Sequence, residues 1–176
     1  MLTFNPQDPF SCFVTQSLSM KSAVENAQRF AMFDVPLLIQ GETGTGKDLL
    51  AKACHFASLR REKKFIAVNC AGLPDEDAES EMFGRKVGDS ETTGFFEYAH
   101  EGTVLLDGIA ELSLSLQAKL LRFLTDGSFR RVGEEKEHHA NVRVICTSQE
   151  PMEKLLEQGK LRSDLFHRLN VLALNV

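Results

Sequence analysis

The chain has 176 residues, the size of one ordinary domain, and 43% of them are hydrophobic, enough for a sizeable core. Its formal charge of −5 gives no global basic field, so DNA binding would need a local patch or a segment outside this chain. No apolar run nears the roughly 18 residues of a membrane span, and no charged-then-apolar leader opens the sequence, so a cytoplasmic protein without membrane contact is expected.

Residues 1–17 contain Pro6 and Pro9 and few periodic apolar positions, and read as a lead-in to a domain over 18–176. Over 19–33 the residues Met20, Val24, Ala27 and Ala31 fall at helical spacing, until Pro36 breaks the pattern. Leu37, Leu38 and Ile39 form a short apolar strand that Gly41 ends. A helix is expected over 47–58, a strand over 65–68, and a buried strand over 104–106 that ends on Asp107. Leu116, Leu120, Leu121 and Leu124 mark one face of a further helix, with Gly127 as its stop. Residues 142–146 read as a strand, 151–158 and 163–169 as helices, and 171–176 as the last apolar run. Continuously apolar strands alternating with helices imply a parallel sheet covered on both faces, with ligands at the carboxyl ends of its strands.

Gly41 and Asp107 both lie at such ends. "GETGTGK" supplies Gly41, Gly44 and Gly46, which let the backbone curl around an anion, and Lys47, which can reach the outer phosphates of a nucleotide. Position 48 carries Asp48 where the usual phosphate loop has a hydroxyl ligand for magnesium. Its carboxylate either holds the ion through water or simply favours the helix N-terminus. Asp107 after an apolar strand reads as the Walker B magnesium ligand, the alternative being a cap on the next loop. The glutamate that commonly follows and orients the attacking water is replaced by Gly108; Glu111 is the only nearby substitute. The residues therefore predict ATP with Mg²⁺ bound and hydrolysis slow or absent.

The ordered blocks "GETGTGKDLLAKACH", "FIAVNCAGLP", "EMFG", "GTVLLD", "LQAKLLRFLTDGSFRRVG", "VRVICTSQ" and "LRSDLFHRLNV" resemble the central AAA+ ATPase domain of bacterial enhancer-binding, sigma-54 activator type, transcription regulators. The resemblance runs from about Phe13 to the end. It implies an α/β P-loop NTPase of AAA+ type with a mostly parallel five-stranded sheet, and a small helical lid that would follow this chain. The nucleotide site carried over comprises Gly41, Glu42, Thr43, Gly44, Thr45, Gly46, Lys47 and Asp48, and the block Gly102, Thr103, Val104, Leu105, Leu106, Asp107 and Gly108. Gln149 stands at the sensor-one asparagine, and Arg162 and Arg168 match arginine fingers that act on a neighbouring subunit's nucleotide. Local pairing with Asp164, or plain exposure, is the alternative for both arginines. An acid after the loop lysine is common in the family, which accommodates Asp48.

The family's sigma-contacting loop, Gly-Ala-Phe-Thr-Gly-Ala, is replaced by "GRKVGDSETTGFFEYA", with Gly88 at its first glycine and no aromatic tip. In this the chain is similar to the branch that regulates aromatic amino acid biosynthesis and transport genes. That likeness implies repression or activation at sigma-70 promoters, self-association with nucleotide at the subunit interface, and an aromatic amino acid effector such as tyrosine. It also implies a possible RNA polymerase partner and DNA binding through a domain outside this chain, which reads as a fragment of a longer regulator. An active ATPase motor of the same fold is the alternative reading. A small-molecule kinase lacks any readable acceptor base.

Other signals are weaker. Cys12, Cys54, Cys70 and Cys146 form no CxxC pair and read as reduced, mostly buried thiols. "LRREKKF" reads as a solvated loop, His138 and His139 as exposed neighbours more than metal ligands, and His55 as packing.

Overall fold

The computed structural model describes residues 3–14 and 17–176; residues 1, 2, 15 and 16 of the lead-in lie outside the described residues. Helix α1 (Leu18–Phe30) leads to strand β1 (Leu37–Gln40), and α2 (Lys47–Phe56) to β2 (Phe65–Asn69). After α3 (Asp75–Phe83) come a hairpin of β3 (Arg85–Val87) and β4 (Ser90–Thr92), then the short α4 (Phe95–Tyr98) and β5 (Thr103–Asp107). Helix α5 (Leu114–Asp126) precedes a second hairpin, β6 (Ser128–Arg130) and β7 (Glu137–His139). Strand β8 (Arg143–Ser148), helices α6 (Met152–Glu157) and α7 (Ser163–Leu169), and β9 (Leu172–Asn175) complete the chain.

Five strands form one sheet in the order β2-β5-β8-β1-β9, and every neighbouring pair is parallel. The side-chain alternation of a strand explains why this sheet needs helices on both faces. Leu37, Ile39, Leu105, Ile145 and Leu174 pack with Ala27, Leu50, Ala51 and Cys54 of α1 and α2. Leu38, Val104, Leu106, Val144 and Cys146 point the other way, into Met82, Phe83, Phe96, Leu120, Phe123, Leu165 and Leu169. Register brings Asn69, Asp107 and Thr147 abreast, with Gln40 beside Ser148, so the carboxyl ends form one row. Among the described residues no helix is long and apolar enough to cross a membrane.

Helix α1 stops at Phe30, short of the expected 33. The chain must become extended before Pro36, and the buried Arg143 takes over the helix's end. Its guanidinium donates to Phe30 O (2.9 Å), Ala31 O (2.8 Å) and Val35 O (3.3 Å), satisfying carbonyls that an α-helix leaves open. The charged loop after α2 is solvated only in part. Arg60 grips Asp34 with two bonds, at 2.8 and 2.9 Å, and also donates to Gly102 O and Asn141 O. The lead-in is not bare: Phe10 and Phe13 pack against the α1–α2 side of the core, and the Phe4 ring lies 5.5 Å from that of Phe56.

The two hairpins dock on each other. Lys86 N donates to Val132 O (2.9 Å) and Val132 N to Gly84 O (2.8 Å). Arg131, only 8% exposed, pairs with Glu91 of β4 and with Glu97 of α4 at 2.8 Å. The stretch over 84–99 is thus a short hairpin and helical turn held down by an ion-pair cluster.

Candidate nucleotide site

Between β1 and α2 the loop turns twice through the left-handed region, at Gly44 (φ 82°) and Gly46 (φ 85°), where side chains are disfavoured. Gly41 is needed for a different reason: a Cβ there would sit 2.6 Å from Val176 O. Among the described residues the backbone N–H groups of Glu42 to Leu49 donate to nothing, so the loop and the amino end of α2 carry a run of unpaired donors. Lys47 is buried at the base of the loop, and its Nζ donates to Gly41 O (2.7 Å) and Glu42 O (2.8 Å), leaving its third proton free. Thr45 Oγ1 donates to Glu42 O (2.7 Å), and Gln149 Nε2 donates to Thr43 Oγ1, tying the end of β8 to the loop. These groups fit a polyphosphate: free donors, one ammonium and no opposing carboxylate bonded to either.

Asp107 ends β5 and lines a cleft of about 560 Å³ with Asn69, Gly108, Glu111, Thr147, Gln149 and Glu150. Its Oδ1 accepts from Thr147 Oγ1 at 2.5 Å, and Thr147 Oγ1 accepts from Gly108 N at 3.1 Å. Nothing among the described residues donates to Asp107 Oδ2, which leaves one carboxylate oxygen for a hard cation. Gly108 has φ 83° and ψ 60°, so the backbone after Asp107 turns through the left-handed region into a 3-10 turn at Ile109–Glu111. That turn carries Glu111 back over the same cleft. Burial pushes the Cys70 thiol beneath it up to about 12, with the negative charges of Asp107 and Glu111 adding to the push.

The other expected residues fall elsewhere. Thr103, Val104, Leu105 and Leu106 are buried in β5, and Gly102 sits at its far end against Lys64, so these five carry Asp107 to the site without facing it. Asp48 is exposed in the first turn of α2 and lines a separate cleft with Lys52, Phe56 and Phe65. Arg162 pairs with Asp164 through two bonds, at 3.0 and 2.9 Å, and that pair holds the Asp164 carboxyl below its usual range. Arg168 donates to Leu124 O (3.2 Å) and lines a cleft with Asp34 and Arg143 near the amino ends of the strands. Neither arginine lines the cleft of Asp107. Sequence reasoning missed Thr147, whose pairing with Asp107 exists only through the β5–β8 register.

The profile of the Sigma-54 interaction domain matches residues 13–175. The chain belongs to the sigma-54 interaction domain family. Within that family, the HTH-type transcriptional regulatory protein TyrR of Haemophilus influenzae is 86% identical over 173 residues, which cover 98% of this chain and 54% of that protein. TyrR of Salmonella typhimurium is 53% identical over 95% of this chain and 32% of its own length. The chain thus spans from about a third to just over half of the length of these curated relatives. Crystallised NtrX from Brucella abortus in complex with ATP superposes with a TM-score of 0.86 at 36% identity, over 94% of this chain and 38% of NtrX. The five-stranded parallel sheet with its covering helices is the P-loop NTPase fold of sigma-54 activators, and the TyrR proteins among its relatives are HTH-type transcriptional regulators.

Proposed function

We propose that this domain binds ATP with magnesium and uses it mainly to control assembly of a TyrR-like transcription regulator, with hydrolysis weak or lost. Gly41 to Lys47 cradle the phosphates, Asp48 sits at the same helix end, and Asp107 holds the ion. Gln149 senses the outer phosphate through Thr43, and Arg162 and Arg168 complete a neighbouring subunit's site once the Arg162–Asp164 pair opens. The magnesium, when bound, would supply charge neutralisation of the phosphates. The whole regulator acts at sigma-70 promoters of aromatic amino acid genes in the cytoplasm. Its DNA contact lies outside this chain, tyrosine or a related amino acid is its effector, and RNA polymerase is a partner.

The observation that carries this reading is Gly108: a left-handed glycine follows Asp107 where a motor needs a carboxylate on the attacking water. The clamped β3–β4 hairpin agrees with it, because a docked and shortened loop has no reach toward a sigma factor. The test is sedimentation of the full-length protein with and without a nonhydrolysable ATP analogue and magnesium. Association should rise with the analogue and fail to do so in Lys47→Ala; unchanged association and unchanged stability overturn the reading. An active ATPase is the second reading, favoured by Glu111 over the Asp107 cleft. Steady-state phosphate release near about 1 per second, an ordinary enzyme rate, lost in Glu111→Gln, would establish it instead.

A further inference from the structure

Thr147 is fully buried on β8, yet its hydroxyl is spent entirely on the turn that follows β5. It donates to Asp107 Oδ1 (2.5 Å) and accepts from Gly108 N (3.1 Å), while the Thr147 carbonyl accepts from the same N–H at 3.2 Å. A hydroxyl has one proton to give, and here it goes to the carboxylate. The arrangement has two consequences. Asp107 cannot rotate about its Cβ–Cγ bond without losing a hydrogen bond to an ionised group, which is among the stronger kinds. And Oδ2 receives no hydrogen bond among the described residues, so the carboxylate is held by one oxygen while the other keeps all of its lone pairs for a ligand. The Gly108 N–H reaches Thr147 as the last rung of the β5–β8 ladder, and the chain turns left-handed just after it.

We infer that Thr147 is a positioning residue that holds the Asp107 carboxylate in the orientation in which it would receive a divalent cation. This rests on the reading of Asp107 as the magnesium ligand. The prediction concerns magnesium dependence, not activity. Thr147→Val keeps the shape of the side chain and removes the hydroxyl; Thr147→Ser keeps the hydroxyl. Binding of a fluorescent ATP analogue to the full-length protein is titrated at a series of magnesium concentrations and in excess chelator. The magnesium concentration for half-maximal enhancement should rise about tenfold in Thr147→Val, the loss of one charge-assisted bond. Thr147→Ser should stay within about twofold of the parent, and chelated affinity should be the same in all three proteins. A parent protein indifferent to magnesium overturns both the Asp107 reading and this inference. A parent that responds, with Thr147→Val responding equally, overturns this inference alone. So does an affinity that falls equally with and without magnesium, which would make Thr147 a packing residue.

Discussion

Gly108 invites an obvious repair, and its backbone argues against it. Glutamate at 108 restores the carboxylate that the family's motors place after their aspartate, but the residue must then sit at φ 83°. Left-handed backbone costs a side-chain-bearing residue about 1–2 kcal/mol. Gly108→Glu is therefore expected to lower the thermal midpoint by about 4 °C and leave ATP turnover no higher than before. Gly108→Asn should cost less, because asparagine visits this region more readily. Calorimetry with phosphate release checks both; a Gly108→Glu protein as stable as its parent and faster in turnover would mean the turn relaxes. The loop of Gly41 to Lys47 was legible in the sequence because its chemistry is local, with seven consecutive residues making one cradle. Thr147 was not, because no local pattern says which residue of β8 will lie beside Asp107.

Elements long enough to show a period could be read directly. Four of the sheet strands and the helices of 19–33, 47–58 and 116–124 announced themselves by their apolar residues, with ends off by a few residues, while β9 was readable only as an apolar run over 171–176. The hairpins did not: β3 and β4 have three residues each and are largely exposed, so they carry no usable alternation. In α5 the buried face is Leu116, Leu120 and Phe123 with Gln117, while Leu121 and Leu124 are only half-buried. A polar residue inside an apolar stripe is unreadable until its partners are known. Gln117 Nε2 donates to Leu112 O (3.0 Å) and Lys160 O (2.9 Å), and its Oε1 accepts from Arg162 N (2.9 Å). The hairpin clamp gives a prediction at this scale. Removing the guanidinium leaves Glu91 and Glu97 facing each other, Glu97 partly buried. Arg131→Ala should cost about 2 kcal/mol and speed amide exchange across 85–92 more than in the central sheet. Equal exchange in the hairpin of both proteins would show that β3–β4 is held by its backbone bonds to Val132 alone.

Across the whole molecule, the helix behind the phosphate loop and the strand behind Asp107 are joined at one buried imidazole. His55 Nε2 lies 3.1 Å from Lys63 O, and a carbonyl only accepts, so Nε2 carries the proton. Nδ1, 2.7 Å from Thr103 Oγ1, then accepts from the hydroxyl. The neutral ring is satisfied at both nitrogens, and a second proton would have no acceptor unless Thr103 turned. Burial, the chief cause, brings the His55 pKa down from 6.5 to about 4. The unfolded chain therefore takes up a proton near pH 6.5 that the native state refuses until near pH 4. Stability from this group is complete above the higher value and is lost as pH falls through that window, by about 3 kcal/mol. The carboxylates of Asp34 and Asp126, held below their usual range by Arg60 and by Ser128, lose their share only at lower pH, so the two effects separate. Thermal midpoints of the parent should decline between pH 6.5 and pH 4, and in His55→Gln that decline should flatten even if the variant is less stable throughout. A decline of the same steepness in His55→Gln would move the acid sensitivity to another group and sever the proposed link between α2 and β5.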